Sequence, residues 1–164
     1  MIAVSNKVKL STRTVLRLTR NDFLVKSSSF AVNQAVLRCG MDLVDLDDFA
    51  RSIQLGRERF LSRIYTSGER AFCRGRTARL ATRFAAKEAT AKLLGTGIRN
   101  VGWQEIEVIS LPHGEPTLVL HGRASLRAKS LGLRRISLSL CHTRTTAAAL
   151  AIGICSVRQD EREA

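Results

Sequence analysis

The sequence predicts an α+β domain with an antiparallel sheet. A run of strong helix formers at residues 78–94 ends at Gly95, and short alternating apolar runs joined by turns follow it. Alanine, leucine, lysine, glutamate and arginine favour helix, and glycine is a frequent C-terminal cap. One strand, then helices, then a meander of strands is an order typical of α+β proteins. A chain of 164 residues is long enough for one domain with a real core.

The residues before the long helix predict one strand and three helical segments. Residues 36–44 alternate loosely and indicate a strand. Apolar residues recur at helical spacing over residues 45–64, where Gly56 marks a turn between two helices. Thr66 is expected to cap the next helix, because Glu69 stands three residues later in the capping-box position.

The residues after the long helix predict strands. Apolar runs at 106–109 and 117–120 flank a segment rich in proline and glycine, which indicates a β-hairpin. Residues 124–131 predict a short amphipathic helix ended by Gly132. Residues 136–142 alternate strictly, and the apolar run at 146–154 is expected to pair with them.

Composition favours an anionic partner and a reducing compartment. The chain has 27 Lys and Arg against 14 Asp and Glu, a formal net charge of +13. Nucleic acid, a phosphorylated small molecule and an acidic protein would each match that charge. No apolar run approaches the ~20 residues of a membrane-spanning helix. The cysteines lack C-x-x-C spacing and are expected to be buried free thiols; they are Cys39, Cys73, Cys141 and Cys155.

We divide the chain into a basic N-terminal extension at 1–35, a domain at 36–155 and a polar C-terminal tail at 156–164. The composition of the extension fits an organelle transit peptide, a disordered basic arm and a mis-assigned start alike. We expect a cytoplasmic protein, or an organellar one if the extension is a transit peptide.

One face of the long helix combines apolar and charged residues. Leu80, Phe84, Glu88 and Lys92 are spaced by four and therefore share a face. Charges on the buried side of a helix are costly unless they are paired or hold an ion. Two explanations stay open from the spacing alone: an ion site, or an ordinary Glu-to-Lys pair worth about 0.2–0.5 kcal/mol.

Four segments, in this order, support a family resemblance. They are Gly40-Met41-Asp42-Leu43-Val44, Phe60-Leu61-Ser62-Arg63-Ile64-Tyr65-Thr66, the run from Arg83 to Gly97, and Ser139-Leu140-Cys141-His142-Thr143. With them, residues 37–154 resemble the holo-acyl-carrier-protein synthases, the small bacterial type of 4′-phosphopantetheinyl transferase. The resemblance implies a homotrimer with active sites at subunit interfaces.

The implied reaction is Mg²⁺-dependent transfer of phosphopantetheine from coenzyme A to a serine of an apo acyl carrier protein, with release of 3′,5′-ADP. The implied catalytic residues are Asp42, Glu88 and Lys92, of which Asp42 and Glu88 hold Mg²⁺. Asp42 also has an ordinary explanation as a turn or cap residue. The general base stays open between Glu88, Asp42 and a Mg²⁺-bound water.

The resemblance also implies two binding surfaces. Coenzyme A is expected at Arg83, Lys92, Gly95, Thr96, Gly97, His142 and Thr143. The acidic carrier is expected at Arg51, Arg57, Arg59 and Arg63. Asp47-Asp48 departs from the family pattern, where a basic residue is common, so the choice of carrier and its pathway (fatty acid, polyketide or another) stay open.

Several of these residues keep an ordinary alternative. Gly95 is also explained as an ordinary helix cap, and His142 as a core histidine whose ring is hydrogen-bonded. The arginines are also explained as part of a solvated helix face. For Lys87, contact with phosphate, with a neighbouring subunit or only with solvent all stay open. At the level of function, the alternatives are a basic nucleic-acid-binding module and a catalytically silent family member.

Overall fold

The computed structural model describes residues 35–156, and the expectations about the N-terminal extension and the C-terminal tail lie outside this part. Within it the chain forms an α+β fold, as predicted. In order, the elements are β1 (Ala35–Asp45), α1 (Leu46–Ile64), α2 (Ser67–Cys73), α3 (Thr77–Leu94), α4 (Gly97–Asn100), a 3₁₀ turn (Trp103–Glu105), β2 (Ile106–Ser110), β3 (Pro116–Leu120), α5 (Gly122–Ser130), β4 (Leu133–His142) and β5 (Thr146–Ser156). The sequence did not predict α4 or the 3₁₀ turn.

The strands form one three-stranded antiparallel sheet and one hairpin. β5 lies between β1 and β4, and the predicted pairing of β5 with β4 is confirmed. β2 and β3 form the predicted hairpin. In β4, Ile136, Leu138 and Leu140 pack against the core, as their alternation predicted. β1 is the first strand of the described range, yet it pairs with β5, the last strand of that range.

The long helix α3 packs on one face of the sheet at very close range. A Cβ atom on Gly40 of β1 would lie 2.0 Å from the carbonyl oxygen of Ala89 and 2.7 Å from the amide nitrogen of Leu93. Only glycine allows this approach. Small side chains continue the contact along α3 and β5, as at Ala85 and Ala151. The contact fixes α3 against the end of β1, where Asp42 lies.

The capping box predicted at Thr66 is present, and α1 has a cap at Asp45 that was not predicted. Asp45 begins α1, because its carboxylate accepts hydrogen bonds from the amides of Asp47 and Asp48 at 2.9 and 3.0 Å. Thr66 and Glu69 form a complete capping box at α2. The turn expected at Gly56 is a break inside α1, located one residue later at Arg57 with φ 45° and ψ −135°.

The other face of the sheet is exposed, and it is apolar along β1 and β5. Leu150 and Ile152 of β5 are 37% and 41% exposed, and each pairs with an exposed residue of β1, namely Met41 and Cys39. Buried alanines alternate with them and face α3. The described residues thus leave an apolar surface over β1 and β5, while β4 adds the exposed Ser137 and Ser139 to the same face.

The cysteine prediction is confirmed in part. All four thiols are free, and Cys73 and Cys155 are buried. Cys39 and Cys141 are exposed, so the expectation of burial was wrong for them. The reason is that alternation along β1 and β4 places both on the sheet face opposite α3. No helix within residues 35–156 is long and apolar enough to cross a membrane.

Candidate active site

Asp42 and Glu88 face the same cavity, which has a volume of about 380 Å³. Asp42 comes from the end of β1, and Glu88 lies one turn beyond Phe84 on α3. The wall is aromatic on one side, where Phe84 and Phe60 each pack edge-on against Phe49, at 5.4 and 5.9 Å. Tertiary structure therefore brings together two carboxylates that are 46 positions apart in the chain (88 − 42).

Lys92 binds the strand beside this cavity. Its Nζ donates to the Asp42 carboxylate at 2.8 Å and to the carbonyl oxygen of Met41 at 2.9 Å. The ordinary helix pair between Glu88 and Lys92 was therefore the wrong explanation of their spacing. Lys92 neutralises one carboxylate of the cavity while half of its own side chain stays exposed.

Glu88 is half-buried, and its carboxylate forms no hydrogen bond or ion pair with another described residue. Burial raises the pKa of its carboxyl group, and the nearby charge of Asp42 raises it further, while Lys92 lowers it. A carboxylate without a partner, held beside a second carboxylate, is an arrangement that a divalent cation stabilises.

The described residues contain no group of three or more His, Cys, Asp and Glu side chains arranged to hold a metal. Two carboxylates suit Mg²⁺, which usually takes one or two protein carboxylates and fills its octahedron with water and phosphate oxygens. The pair Asp42 and Glu88 therefore fits the ion that the sequence implied.

Arg83 lies in the wall of a second cavity, of about 330 Å³, formed with the hairpin turn and with β4. Its side chain is 4% exposed, and its guanidinium stacks 4.2 Å from the centre of the Phe72 ring. One Nη donates to Ser110 at 3.0 Å, whereas the buried Nε has no hydrogen-bond partner among the described residues. No described carboxylate pairs with this buried cation, which makes it a candidate site for an anion.

The Gly95-Thr96-Gly97 loop ends α3. Gly95 adopts the left-handed conformation with φ 69°, as a C-terminal cap does. Two arginines that sequence reasoning missed flank it: Arg38 donates from Nε to the Leu93 carbonyl at 2.8 Å, and Arg127 to the Leu94 carbonyl at 3.0 Å. Their charges offset the negative end of the helix dipole.

His142 ends β4 and Thr143 follows it; neither residue lines the Asp42–Glu88 cavity of the same chain. His142 is exposed, so the alternative of a core histidine was wrong; its Nδ1 is 3.2 Å from the Thr143 carbonyl. The Thr143 hydroxyl accepts from the amides of Thr145 and Thr146 and shapes the turn to β5.

The four arginines expected to bind the carrier all lie exposed on α1, but they are not equivalent. Arg51 forms an ion pair with Asp48, one of the two aspartates that depart from the family pattern. The charge of Arg51 is therefore neutralised locally. Arg57 occupies the helix break. The side chains of Arg59 and Arg63 have no hydrogen bond or ion pair with a described residue, which leaves their charges available.

Lys87 is fully buried, and all three roles considered for it were wrong. Its Nζ pairs with Glu69 at 2.8 Å and donates to the carbonyl oxygens of Trp103 and Ile106 at 2.9 and 2.5 Å. Burial lowers the pKa of Lys87, and the charge of Glu69 opposes that shift. The capping box marked Glu69 in the sequence, but nothing there indicated its buried partner.

Comparison with known proteins identifies the family of this chain. A sequence model described as the 4′-phosphopantetheinyl transferase superfamily matches residues 38–153. The chain therefore belongs to this superfamily and, within it, to the holo-[acyl-carrier-protein] synthase family of enzymes.

Among curated relatives, the holo-[acyl-carrier-protein] synthase of Koribacter versatilis is 46% identical over 121 residues, which are 71% of this chain and 97% of the relative. The solved coenzyme A complex of the Chronobacterium ammoniagenes enzyme superposes with a TM-score of 0.67 at 28% identity, covering 75% of this chain and 99% of that one. A Bacillus anthracis synthase in complex with CoA (3′,5′-ADP) gives a TM-score of 0.62 at 29% identity, covering 75% and 100%.

Proposed function

We propose that this enzyme transfers 4′-phosphopantetheine from coenzyme A to a serine of an apo acyl carrier protein, in a Mg²⁺-dependent reaction that releases 3′,5′-ADP. The observation that supports this most directly is the pair of carboxylates, Asp42 and Glu88, on one cavity. The free thiols of the described residues are consistent with a cytoplasmic, reducing location.

Asp42 and Glu88 would hold Mg²⁺, which when bound supplies positive charge that offsets the negative charge of the diphosphate. In the reaction, the serine oxygen forms a bond to the β-phosphorus of coenzyme A. The bond from that phosphorus to the bridging oxygen breaks, and 3′,5′-ADP leaves with this oxygen. The serine proton passes to a base, for which Glu88, Asp42 and water are the candidates.

Lys92 is a cation that lies beside the carboxylate pair, because its Nζ donates a hydrogen bond to the Asp42 carboxylate. An ammonium on a flexible stem contacts phosphate as a point charge, so Lys92 is suited to the α-phosphate, where the negative charge of the leaving group develops.

Arg83 is proposed to bind an anionic group of coenzyme A. Replacing it by methionine is expected to raise KM for coenzyme A about tenfold or more, because a buried guanidinium without a carboxylate partner is removed. KM for the carrier should stay unchanged, and steady-state kinetics with each substrate varied in turn measures both. Arg83→Lys should recover little, since lysine lacks the planar fork; full activity of Arg83→Met would exclude this role.

Association of subunits would bring the proposed coenzyme A residues Arg83 and His142 together with the Asp42–Glu88 cavity. Arg83 and His142 do not line the Asp42–Glu88 cavity of their own chain. In the proposed homotrimer, a neighbouring subunit would supply its own Arg83 and His142 beside Asp42 and Glu88 and so complete the site.

Ile152→Asp is expected to prevent this association, because it places a charge at the centre of the exposed apolar face. Light scattering after size exclusion should give a trimer for the wild type and a monomer for the variant. Leu126→Asp is the matched control, since Leu126 is 66% exposed but lies on α5. A wild type that elutes as a monomer at micromolar concentration would refute the trimer.

The reaction itself is tested by intact-mass analysis of a panel of apo carriers incubated with the enzyme, coenzyme A and Mg²⁺. One carrier should gain the mass of one phosphopantetheine, and chelation of Mg²⁺ should stop the gain. Unchanged mass for every carrier, with coenzyme A unconsumed, would reject the proposed function.

A further inference from the structure

A third cavity, of about 480 Å³, is lined by three arginines from three separate elements. Arg63 is in the last turn of α1, Arg99 is on α4 and Arg123 is on α5, while Trp103 and Gly102 form the wall between them. We call this the arginine cavity. Neither Arg99 nor Arg123 was singled out by the sequence.

The arginine cavity has an excess of positive charge. Arg123 donates from Nε to Glu105 at 3.1 Å. The side chains of Arg63 and Arg99 form no hydrogen bond or ion pair with any residue of the described range 35–156. Cations that share a concave surface repel one another, and an anion placed between them relieves that repulsion. If these arginines served only to solvate the surface, there would be no reason for all three to line the same cavity.

The walls of the arginine cavity are held in place before any partner binds. Gln104 donates from Nε2 to the carbonyl oxygens of Ser62 and Tyr65, at 2.5 and 3.2 Å, and so ties the end of α1 to the 3₁₀ turn. Glu105 accepts from the amide of Ala124 at 3.2 Å and ties the same turn to α5. Arginines presented from a fixed frame lose less conformational entropy on binding.

The arginine cavity adjoins the Asp42–Glu88 cavity. Phe60 lines the latter and lies three residues before Arg63, a rise of about 4.5 Å along α1. Trp103, which lines the arginine cavity, packs against Phe84 of the other cavity with ring centres 4.7 Å apart. A partner that places a serine at the carboxylate pair therefore covers this neighbouring positive surface.

We infer that the arginine cavity receives an acidic side chain of the carrier protein while the carrier serine occupies the Asp42–Glu88 cavity. The inference rests on the proposed function and extends the carrier surface from α1 to α4 and α5. The two cavities lie side by side along α1, so a protein that occupies one also covers the other. We therefore favour a carboxylate of the carrier over a free phosphorylated molecule as the anion, because a small free anion would bind only one cavity.

The double variant Arg63→Ala/Arg99→Ala tests this with the full-length enzyme and a bacterial apo acyl carrier protein. KM for the carrier is expected to rise about tenfold, with kcat and KM for coenzyme A unchanged. Arg76→Ala/Lys129→Ala removes the same charge from exposed positions outside the cavity and should leave all three constants unchanged. Both replaced arginines are exposed and without partners in the described residues, so the variant should fold normally.

A binding measurement separates recognition from turnover. By calorimetry, a carrier whose serine is replaced by alanine should bind the double variant about tenfold more weakly than the wild type, and added salt should reduce that difference. Unchanged carrier affinity would overturn the inference, and a rise in KM for coenzyme A alone would assign the cavity to a free nucleotide and overturn it too. Absence of transfer by the wild type would instead reject the proposed function.

Discussion

Replacing Glu88 by glutamine is expected to lower kcat for carrier modification by about 10³-fold. The change keeps the shape of the side chain but removes the negative charge that faces Asp42 in the cavity, which Asp45 and Asp48 also line. Because the Glu88 carboxylate has no hydrogen bond or ion pair among the described residues, the fold should not depend on its charge. Loss of repulsion from Asp42 should even stabilise the protein slightly. A time course of intact carrier mass at saturating coenzyme A gives kcat, and a thermal melt checks the fold.

Glu58→Gln is the matched control for this experiment. Glu58 is an exposed carboxylate whose partner is Arg70, so its loss should cost little in stability and nothing in kcat. A Glu88→Gln enzyme that keeps the wild-type rate would show that the carboxylate pair is not the catalytic centre. Calorimetric titration with Mg²⁺ in the presence of coenzyme A provides a second readout, in which the variant should bind the ion more weakly.

Replacing Lys87 by methionine is expected to destabilise the protein by about 3–5 kcal/mol, because it leaves Glu69 charged and unpaired in the interior. It also leaves the carbonyl oxygens of Trp103 and Ile106 without their donor. The midpoint of thermal unfolding should fall by roughly 10 °C or more. Circular dichroism at fixed protein concentration measures it.

Two further variants show whether the unpaired charge is the cause. Lys87→Met/Glu69→Gln should be more stable than Lys87→Met alone, since the glutamine is neutral and keeps an acceptor for the Val108 amide. Lys129→Met removes an exposed lysine and should leave the midpoint nearly unchanged. Equal stability of Lys87→Met and the wild type would mean that the buried pair contributes no net stability.

The sequence predicted local features well because neighbouring residues decide them. Thr66 and Glu69 lie within one turn, so their capping box follows from spacing alone. Gly95 ends the long helix for a reason that is also local, because glycine adopts the left-handed conformation without steric cost. The alternation of apolar residues and the proline and glycine residues between the runs likewise indicated the hairpin and the pairing of the last two strands.

Predictions failed where a distant partner decides the environment of a side chain. Lys87 follows a helical pattern that is compatible with solvent, and only the packing of α2 and the 3₁₀ turn against α3 buries it. Lys92 has Glu88 at ideal helical spacing but binds Asp42 instead, because Gly40 lets β1 approach the helix closely. Arg99 and Arg123 carry no motif, and their common cavity appears only when α4 and α5 meet.

The sequence by itself determined the family and most of the secondary structure, and it singled out the two carboxylates that line the cavity, because spacing, propensity and ordered motifs are properties of the chain. Tertiary structure alone decided which charges are neutralised and which are left without a partner. The burial and pairing of a charged side chain depend on residues that packing brings close to it. The free energy of each charge therefore follows from tertiary contacts, which the order of residues in the chain does not specify.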